Sequence, residues 1–250
     1  MQRIYNHIKD EHDDRDLFFG DIHQVIAKVD LPDKVDLATS SKMPPIWNQG
    51  DIGSCSVHAG CRAFQFEHGG GPYSRLQLYW LERSVEGTID QDSGAQLRDC
   101  VKVLNSNGLI LETEWPYITT KFKDTPPVLI NEQNQNKLVT YSKLLNAADM
   151  KSCLTAGFPF IFGLQLFESF ESDEVAKTGI VELPDMNQEQ YLGGHAITCV
   201  GYDSNYQGKG LYYKVANSWG SDWGQAGYFY INAKYLENPE FCSDMWTMRS

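Results

Sequence analysis

Three residues far apart in the chain have the types needed to break an amide bond: a thiol at Cys55, an imidazole at His195 and a carboxamide at Asn217. Cys55 closes Asn48-Gln49-Gly50-Asp51-Ile52-Gly53-Ser54-Cys55, a polar glycine turn running into a helical pattern carried by Val57, Gly60, Cys61, Phe64 and Phe66. On the first turn of that helix its sulfur meets unpaired N–H groups and the positive end of the macrodipole, which favour a thiolate. The same amides can hold the oxyanion formed when the thiolate attacks a carbonyl. His195 follows Gly193-Gly194, and Asn217 ends Tyr212-Tyr213-Lys214-Val215-Ala216. An imidazole at a strand start can take the thiol proton while the carboxamide accepts its other N–H and sets the tautomer. Trp219, two residues on, can shield that hydrogen bond from water. A buried cysteine is more often inert than reactive, so the assignment depends on all three residues meeting.

The elements that must bring them together fall into two halves. From Ser54 to about Asn107 the pattern is helical: Ser74 to Val85 carries Leu76, Tyr79, Trp80 and Arg83 on one face, and Ala95 to Leu104 is ended by Asn107-Gly108. Trp115-Pro116-Tyr117 and Thr125-Pro126-Pro127 read as the crossing. After a helix at Ala147 to Ala156, apolar runs alternate with turns at Phe158–Leu166, Gly179–Leu183, His195–Tyr202, Leu211–Ala216 and Gly227–Ile231, the pattern of an antiparallel sheet or small barrel. Cys55 then belongs to a helical lobe and His195 with Asn217 to a sheet lobe, and the site is the cleft between them.

The segments around Cys55, His195 and Asn217 resemble the papain family of cysteine proteases. His195 lies 140 and Asn217 162 residues after Cys55, against about 130–150 in the family; the loop from Asp203 to Gly210 accounts for the excess. The resemblance runs from Leu31-Pro32-Asp33-Lys34-Val35-Asp36, like a mature start, through Trp219-Gly220-Ser221-Asp222-Trp223-Gly224. It implies an α+β, two-lobed fold, hydrolysis of peptide bonds through a Cys55–His195–Asn217 triad and a covalent acyl-enzyme, and an oxyanion hole made by Gln49 and the Cys55 amide. It assigns Gly94 and Trp219 to substrate binding, although Gly94 also reads as a simple turn glycine. Ile52 stands where secreted members have a disulfide cysteine, and Ser56 where an aromatic usually follows the nucleophile. This pattern, with Asp92-Ser93-Gly94-Ala95-Gln96-Leu97-Arg98-Asp99 and Ser243-Asp244-Met245-Trp246-Thr247, is closest to the branch found in bacteria, archaea and large DNA viruses. The alternatives are an acyl-transferase using the same triad and an inactive peptide-binding homologue. His58, three residues after Cys55, is a weaker base candidate, since both would point along one helix surface.

Composition narrows the partners. The chain has 250 residues with 21 basic against 33 acidic, a net charge of −12, which disfavours nucleic acid and leaves a peptide or protein substrate. No apolar run approaches a membrane span, and Met1–Ile8 lacks the apolar core of a signal peptide, so no membrane partner and an intracellular or, for a viral protein, virion-associated location are expected. No C-x-x-C occurs and the histidines are not grouped with cysteines, so neither a metal nor another cofactor is expected. With Cys55 reserved for chemistry, five cysteines remain, Cys61, Cys100, Cys153, Cys199 and Cys242; Cys61, Cys153 and Cys199 read as buried thiols, and a monomer with no structural disulfide is expected. Residues 1–30 form an N-terminal extension, read as a short pro-segment lying in the cleft or as a strap outside it, with Phe18, Phe19, Ile22, Val25 and Ile26 as anchors and the acidic patch Asp10-Glu11-His12-Asp13-Asp14-Arg15-Asp16 in solvent. The peptidase domain is 31–250: helical lobe about 31–125, sheet lobe about 126–235, tail 236–250.

Overall fold

The computed structural model describes residues 3–22, 31–129 and 136–250. The helices are α1 (Phe19–Ile22), α2 (Cys55–His68), α3 (Arg75–Glu86), α4 (Leu97–Ser106), α5 (Ala147–Thr155), α6 (Asp173–Thr178) and α7 (Ala233–Leu236); the strands are β1 (Lys34–Asp36), β2 (Thr140–Lys143), β3 (Phe160–Phe167), β4 (Ile180–Val181), β5 (Tyr191–Asp203), β6 (Tyr212–Ala216), β7 (Tyr228–Asn232) and β8 (Cys242–Arg249). Helices α2, α3 and α4 pack as one lobe. Ser74 caps α3 by accepting from the Gln77 amide at 3.1 Å, and Gly87 ends it in the left-handed conformation at φ 73°.

The strands form an eight-stranded sheet in the order β2-β8-β3-β5-β6-β7-β4, with β1 added to β5. All pairs are antiparallel except β4 with β7. β5 is long enough to change partners: its first half pairs with β3, and its second runs between β6 and β1. That handover curls the sheet toward a barrel.

Period-two alternation sets what each face does. On β3, Phe160, Phe162, Leu164 and Leu166 fill the barrel, whereas Ile161 packs with the helical lobe and Gln165 reaches solvent. Gly163, between Ile161 and Gln165, lines the cleft. On β5, Ile197 and Cys199 join the barrel core, while Ala196 and Thr198 face α2, the Thr198 hydroxyl donating to the Ala59 carbonyl at 3.2 Å. The fold is thus α+β, and Cys55 on α2 and His195 on β5 stand where the two lobes meet.

Two boundaries differ from the sequence reading. Residues 31–36, counted with the helices, include β1 and pair with β5. The tail contains β8, buried between β2 and β3, with Trp246 and Met248 packed against the helices. Its polar residues hid the alternation, because Ser243, Asp244 and Thr247 bond within the protein rather than to water.

Candidate active site

Cys55 opens α2, 1% exposed. Ser54 occupies the N-cap position but makes no side-chain cap bond; its hydroxyl instead meets the Tyr117 hydroxyl at 2.5 Å. The first amides of α2 are therefore left for another acceptor. The Cys55 sulfur takes up part of that capacity: the backbone amides of Ala196, Ser56 and Cys55 approach it. Ala196 directly follows His195, and both lie inside β5 rather than at its start as the sequence suggested, because the strand pairs with β3 from Tyr191 onward; Cys55 therefore sits against the stretch of β5 that carries the imidazole.

His195 and Asn217 are both buried, and His195 Nε2 lies 2.9 Å from Asn217 Oδ1. Asn217 Oδ1 also accepts from the Ser218 amide at 2.8 Å, which holds the carboxamide orientation. His195 Nδ1 is buried with no protein partner. The Trp219 ring stacks on the imidazole at 5.1 Å and 27°, covering the His195–Asn217 bond as expected from its spacing.

Gln49 lies beneath the same loop. Its Nε2 donates to the Ile52 carbonyl at 3.2 Å, its Oε1 accepts from the Ser218 hydroxyl at 2.6 Å, and its backbone amide donates to the Ser218 carbonyl at 2.9 Å. The turn before Cys55 is thereby tied to the strand end that carries Asn217. A carboxamide nitrogen has two hydrogens, so one donor of Gln49 remains. His58 points into the helical lobe: its Nδ1 is 2.9 Å from the Ser54 carbonyl and its Nε2 3.2 Å from the Arg75 guanidinium. Burial and that cation hold His58 far below the ordinary histidine range, so it is neutral and spent on packing.

Residues 3–9 run through the cleft itself. The Arg3 guanidinium lies 4.0 Å over the Trp219 ring and pairs with Glu171. Tyr5 presents its ring edge to His195, 6.2 Å between centroids, and packs beside Trp219. Asn6 donates from Nδ2 to the Asp92 carbonyl at 2.6 Å and passes so close that a Cβ on Gly94 would sit 1.9 Å from the Asn6 carbonyl oxygen. Gly94 is at φ 72°, so both its conformation and this approach call for glycine. The His7 amide donates to the Gly194 carbonyl at 2.9 Å, and Asn6 and Ile8 form bridges with Gly194 and Gln96. The extended segment that passes Gly94 here is the protein's own.

Residues 10–19 are fastened outside the cleft. Asp10 accepts from the Arg98 amide at 3.1 Å and the Trp246 indole at 2.8 Å, and Asp16 makes a two-point ion pair with Arg98 at 3.0 and 2.7 Å. Phe19 is buried in the barrel core, Phe18 is half-buried, and Val25 and Ile26 lie outside the described residues. The acidic patch is thus divided: Glu11, His12 and Asp14 are exposed, but Asp10 is buried and the half-buried Asp16 turns its side chain onto Arg98. The sequence showed the run of charges but not its partner 82 residues away.

Under this cover the electrostatics favour neutral groups. Burial is the largest influence on both members of the pair, pushing the Cys55 thiol up to about 11 and His195 down to about 4. Asn217 acts in the opposite direction on His195 without overcoming burial. At neutral pH the covered pair is thiol and imidazole, not the thiolate and imidazolium of an active resting site.

Several supports escaped the sequence reading. Asp92 receives the Gly53 amide on both carboxylate oxygens at 2.9 Å and so fixes the turn before Cys55. The Tyr117 hydroxyl donates to the Gln49 carbonyl at 2.8 Å. Ser56, in place of an aromatic, donates to the fully buried Glu82 at 2.5 Å. Asp92 neighbours the noted Gly94 and Ser218 the noted Asn217, so only adjacency hinted at them.

A model of the papain family cysteine proteases matches residues 31–243. An uncharacterized peptidase C1-like protein of Acanthamoeba polyphaga mimivirus is 38% identical over 218 residues, 81% of this chain and 68% of that protein. The viral cathepsin of Adoxophyes honmai nucleopolyhedrovirus is 27% identical over 224 residues, 84% of this chain and 60% of that protein. Among solved structures, xylellain, a cysteine protease from Xylella fastidiosa, superposes with a TM-score of 0.84 at 32% identity, covering 98% of this chain and 96% of that one. Since the match crosses both lobes and takes in the turn of Cys55, the start of β5 and the end of β6, the chain belongs to the papain family of cysteine proteases.

Proposed function

We propose that this protein hydrolyses peptide bonds through Cys55, His195 and Asn217 by way of a covalent acyl-enzyme. The observation that carries the reading is the arrangement of His195: Nε2 is committed to Asn217 Oδ1, Nδ1 has no protein partner, and the next residue's amide reaches the Cys55 sulfur. His195 takes the thiol proton, and the thiolate attacks the substrate carbonyl carbon. The oxyanion is met by the Cys55 amide and the remaining donor of Gln49. His195 then protonates the leaving amine, water attacks the thioester with His195 as base, and the acid departs as the thiolate is restored. Asn217 keeps the imidazole aimed throughout. Alkylation by an epoxide thiol reagent tests this: one adduct on Cys55, with loss of peptidase activity, is expected, and turnover surviving in Cys55→Ala would overturn it.

On the same reading, residues 3–9 are a built-in cover and residues 10–19 a strap that holds it. Tyr5 occupies the approach to His195, and Asn6 occupies the backbone groups of Gly94 and Asp92 that an extended substrate needs. Lifting residues 3–9 admits water, removes the burial that keeps both groups neutral, and lets the ion pair form.

A further inference from the structure

The cover shows what the cleft accepts. Two of its side chains are basic, Arg3 and His7, and each ends on a carboxylate, on opposite sides of Tyr5 and Asn6, which lie across Cys55 and His195. Arg3 pairs with Glu171 while its guanidinium lies over the Trp219 ring. Among the described residues, Glu171 has no other cationic partner. On the other side, His7 Nε2 is 3.3 Å from Asp244 Oδ2, with the two side chains 5% and 2% exposed.

The second receptor is a pocket built by two backbone choices. Gly163 opens it, because a Cβ there would lie 1.8 Å from His7 Nε2. Asp244 forms its acidic end and stands at φ 56°, a left-handed conformation that glycine, asparagine and aspartate tolerate best. The Asp10 amide donates to Asp244 Oδ2 at 3.1 Å and the Ser243 hydroxyl at 2.7 Å, so the carboxylate is aimed. The only other nearby cation among the described residues is Lys143, 3.8 Å from Asp244 Oδ1 and equally 3.8 Å from Asp16, too far for a hydrogen bond to either. Asp10 adds a further carboxyl close by. Asp244 is therefore under-neutralised once His7 leaves.

We propose that this cleft selects cationic peptides: Glu171 beside Trp219 and Asp244 behind Gly163 form two acidic subsites flanking Cys55 and His195, each taking an Arg, Lys or protonated His side chain of the substrate. This rests on the peptidase reading and names its substrate class. An apolar side chain in the Gly163 pocket would leave the buried Asp244 with its two neutral donors but no close counter-charge, which costs more than an apolar contact returns. A guanidinium over Trp219 gains both the ion pair and the face of the ring. The net charge of −12 adds a field that concentrates cations at the surface.

Two measurements on the full-length chain test the assignment. The first needs no catalysis: iodoacetamide alkylation of Cys55 reports how firmly the cover is seated. His7→Arg should protect Cys55 at least as well as the native histidine, whereas His7→Leu and His7→Glu should speed alkylation roughly tenfold or more. With Asp244→Asn, which suits the left-handed position, His7→Arg and His7→Leu should become equivalent. Protection by His7→Leu equal to that by His7→Arg would overturn the pocket's selectivity even if no peptide is cut. The second uses the Tyr5→Ala chain and a randomised peptide library with sequenced cut sites. Basic residues should be enriched at one position on each side of the bond, on the order of 10- to 100-fold in kcat/KM. Asp244→Asn should abolish one enrichment and Glu171→Gln the other; enrichment that is absent, or unchanged in both variants, refutes the proposal. If nothing is cut while alkylation behaves as expected, the peptidase reading fails and the cation pockets stand.

Discussion

Loosening the cover without cutting the chain should uncover a reactive thiol. The perturbation is the double substitution Arg3→Ala and Tyr5→Ala, which removes the ring that meets His195 edge-on and the cation over Trp219 but leaves Asp10 and Asp16 on Arg98 and Trp246. Truncating a tyrosine packed on two rings is worth about 2 kcal/mol, and a part-exposed ion pair with its cation–π contact about 1 kcal/mol. Together that is a shift of roughly a hundredfold toward the open cleft. The thiol in the covered site is pushed up to about 11, against about 8.5 for a free one, so opening raises the thiolate fraction at neutral pH by about 300-fold. A thiolate of lower pKa is a weaker nucleophile, which returns roughly a factor of ten. The net expectation is alkylation about 30-fold faster at pH 7, more if His195 becomes imidazolium beside it. Iodoacetamide kinetics followed by intact mass would measure this. Equal rates in the double variant and the native chain would refute the argument that residues 3–9 set the state of Cys55.

Acid should act in the same direction. A base whose pKa falls on covering, from about 6.5 to about 4 for His195, supports the covered state fully above about 6.5 and loses that support as pH drops toward 4, because the uncovered state binds the extra proton. Native-chain peptidase activity should therefore rise on acidification through this window, and an activity profile identical to that of the double variant would contradict it. Starting the chain at Leu31 should raise activity but lower the melting temperature by about 5–10 °C, because Arg98 and the Trp246 indole lose their partners and Phe19 leaves the barrel core; calorimetry showing no loss would rule out the strap. Cys55→Ala and His195→Ala should each abolish turnover, with no further loss when combined. Asn217→Ala should be milder, since it removes orientation and no reacting group, and a loss as large as that of His195→Ala would show otherwise.

How far the sequence alone could be read follows from the range of the interactions involved. Cys55 and Asn217 stand at local boundaries that the sequence displays, Cys55 where a glycine turn becomes a helix and Asn217 just after an alternating strand, whereas His195, expected at a strand start, lies inside β5 because Gly193-Gly194 continue the strand rather than turn into it. Helix ends and strand alternation are properties of neighbouring residues, so α3, α4, α5, β3, β4, β6 and β7 fell within two residues of their expected bounds, while β5 began four residues early. Asp244 and Gly163 were invisible as a pocket because β3 and β8 meet only through a pairing some 80 residues apart, with an irregular register between Ile161 and Gly163. The acidic run at residues 10–16 looked like a solvated patch because its partners, Arg98 and Trp246, lie in two other elements. The same non-local geometry lets one segment do two jobs. Its outer part is held by charge pairs with little exposure that cannot be broken cheaply, whereas its inner part rests on Gly94, Gly194 and Trp219, which on the proposed reading a substrate also needs. A strand that borrows the substrate's contacts can be displaced by a substrate that makes them better, so the strength of the cover and the selectivity of the cleft should vary together.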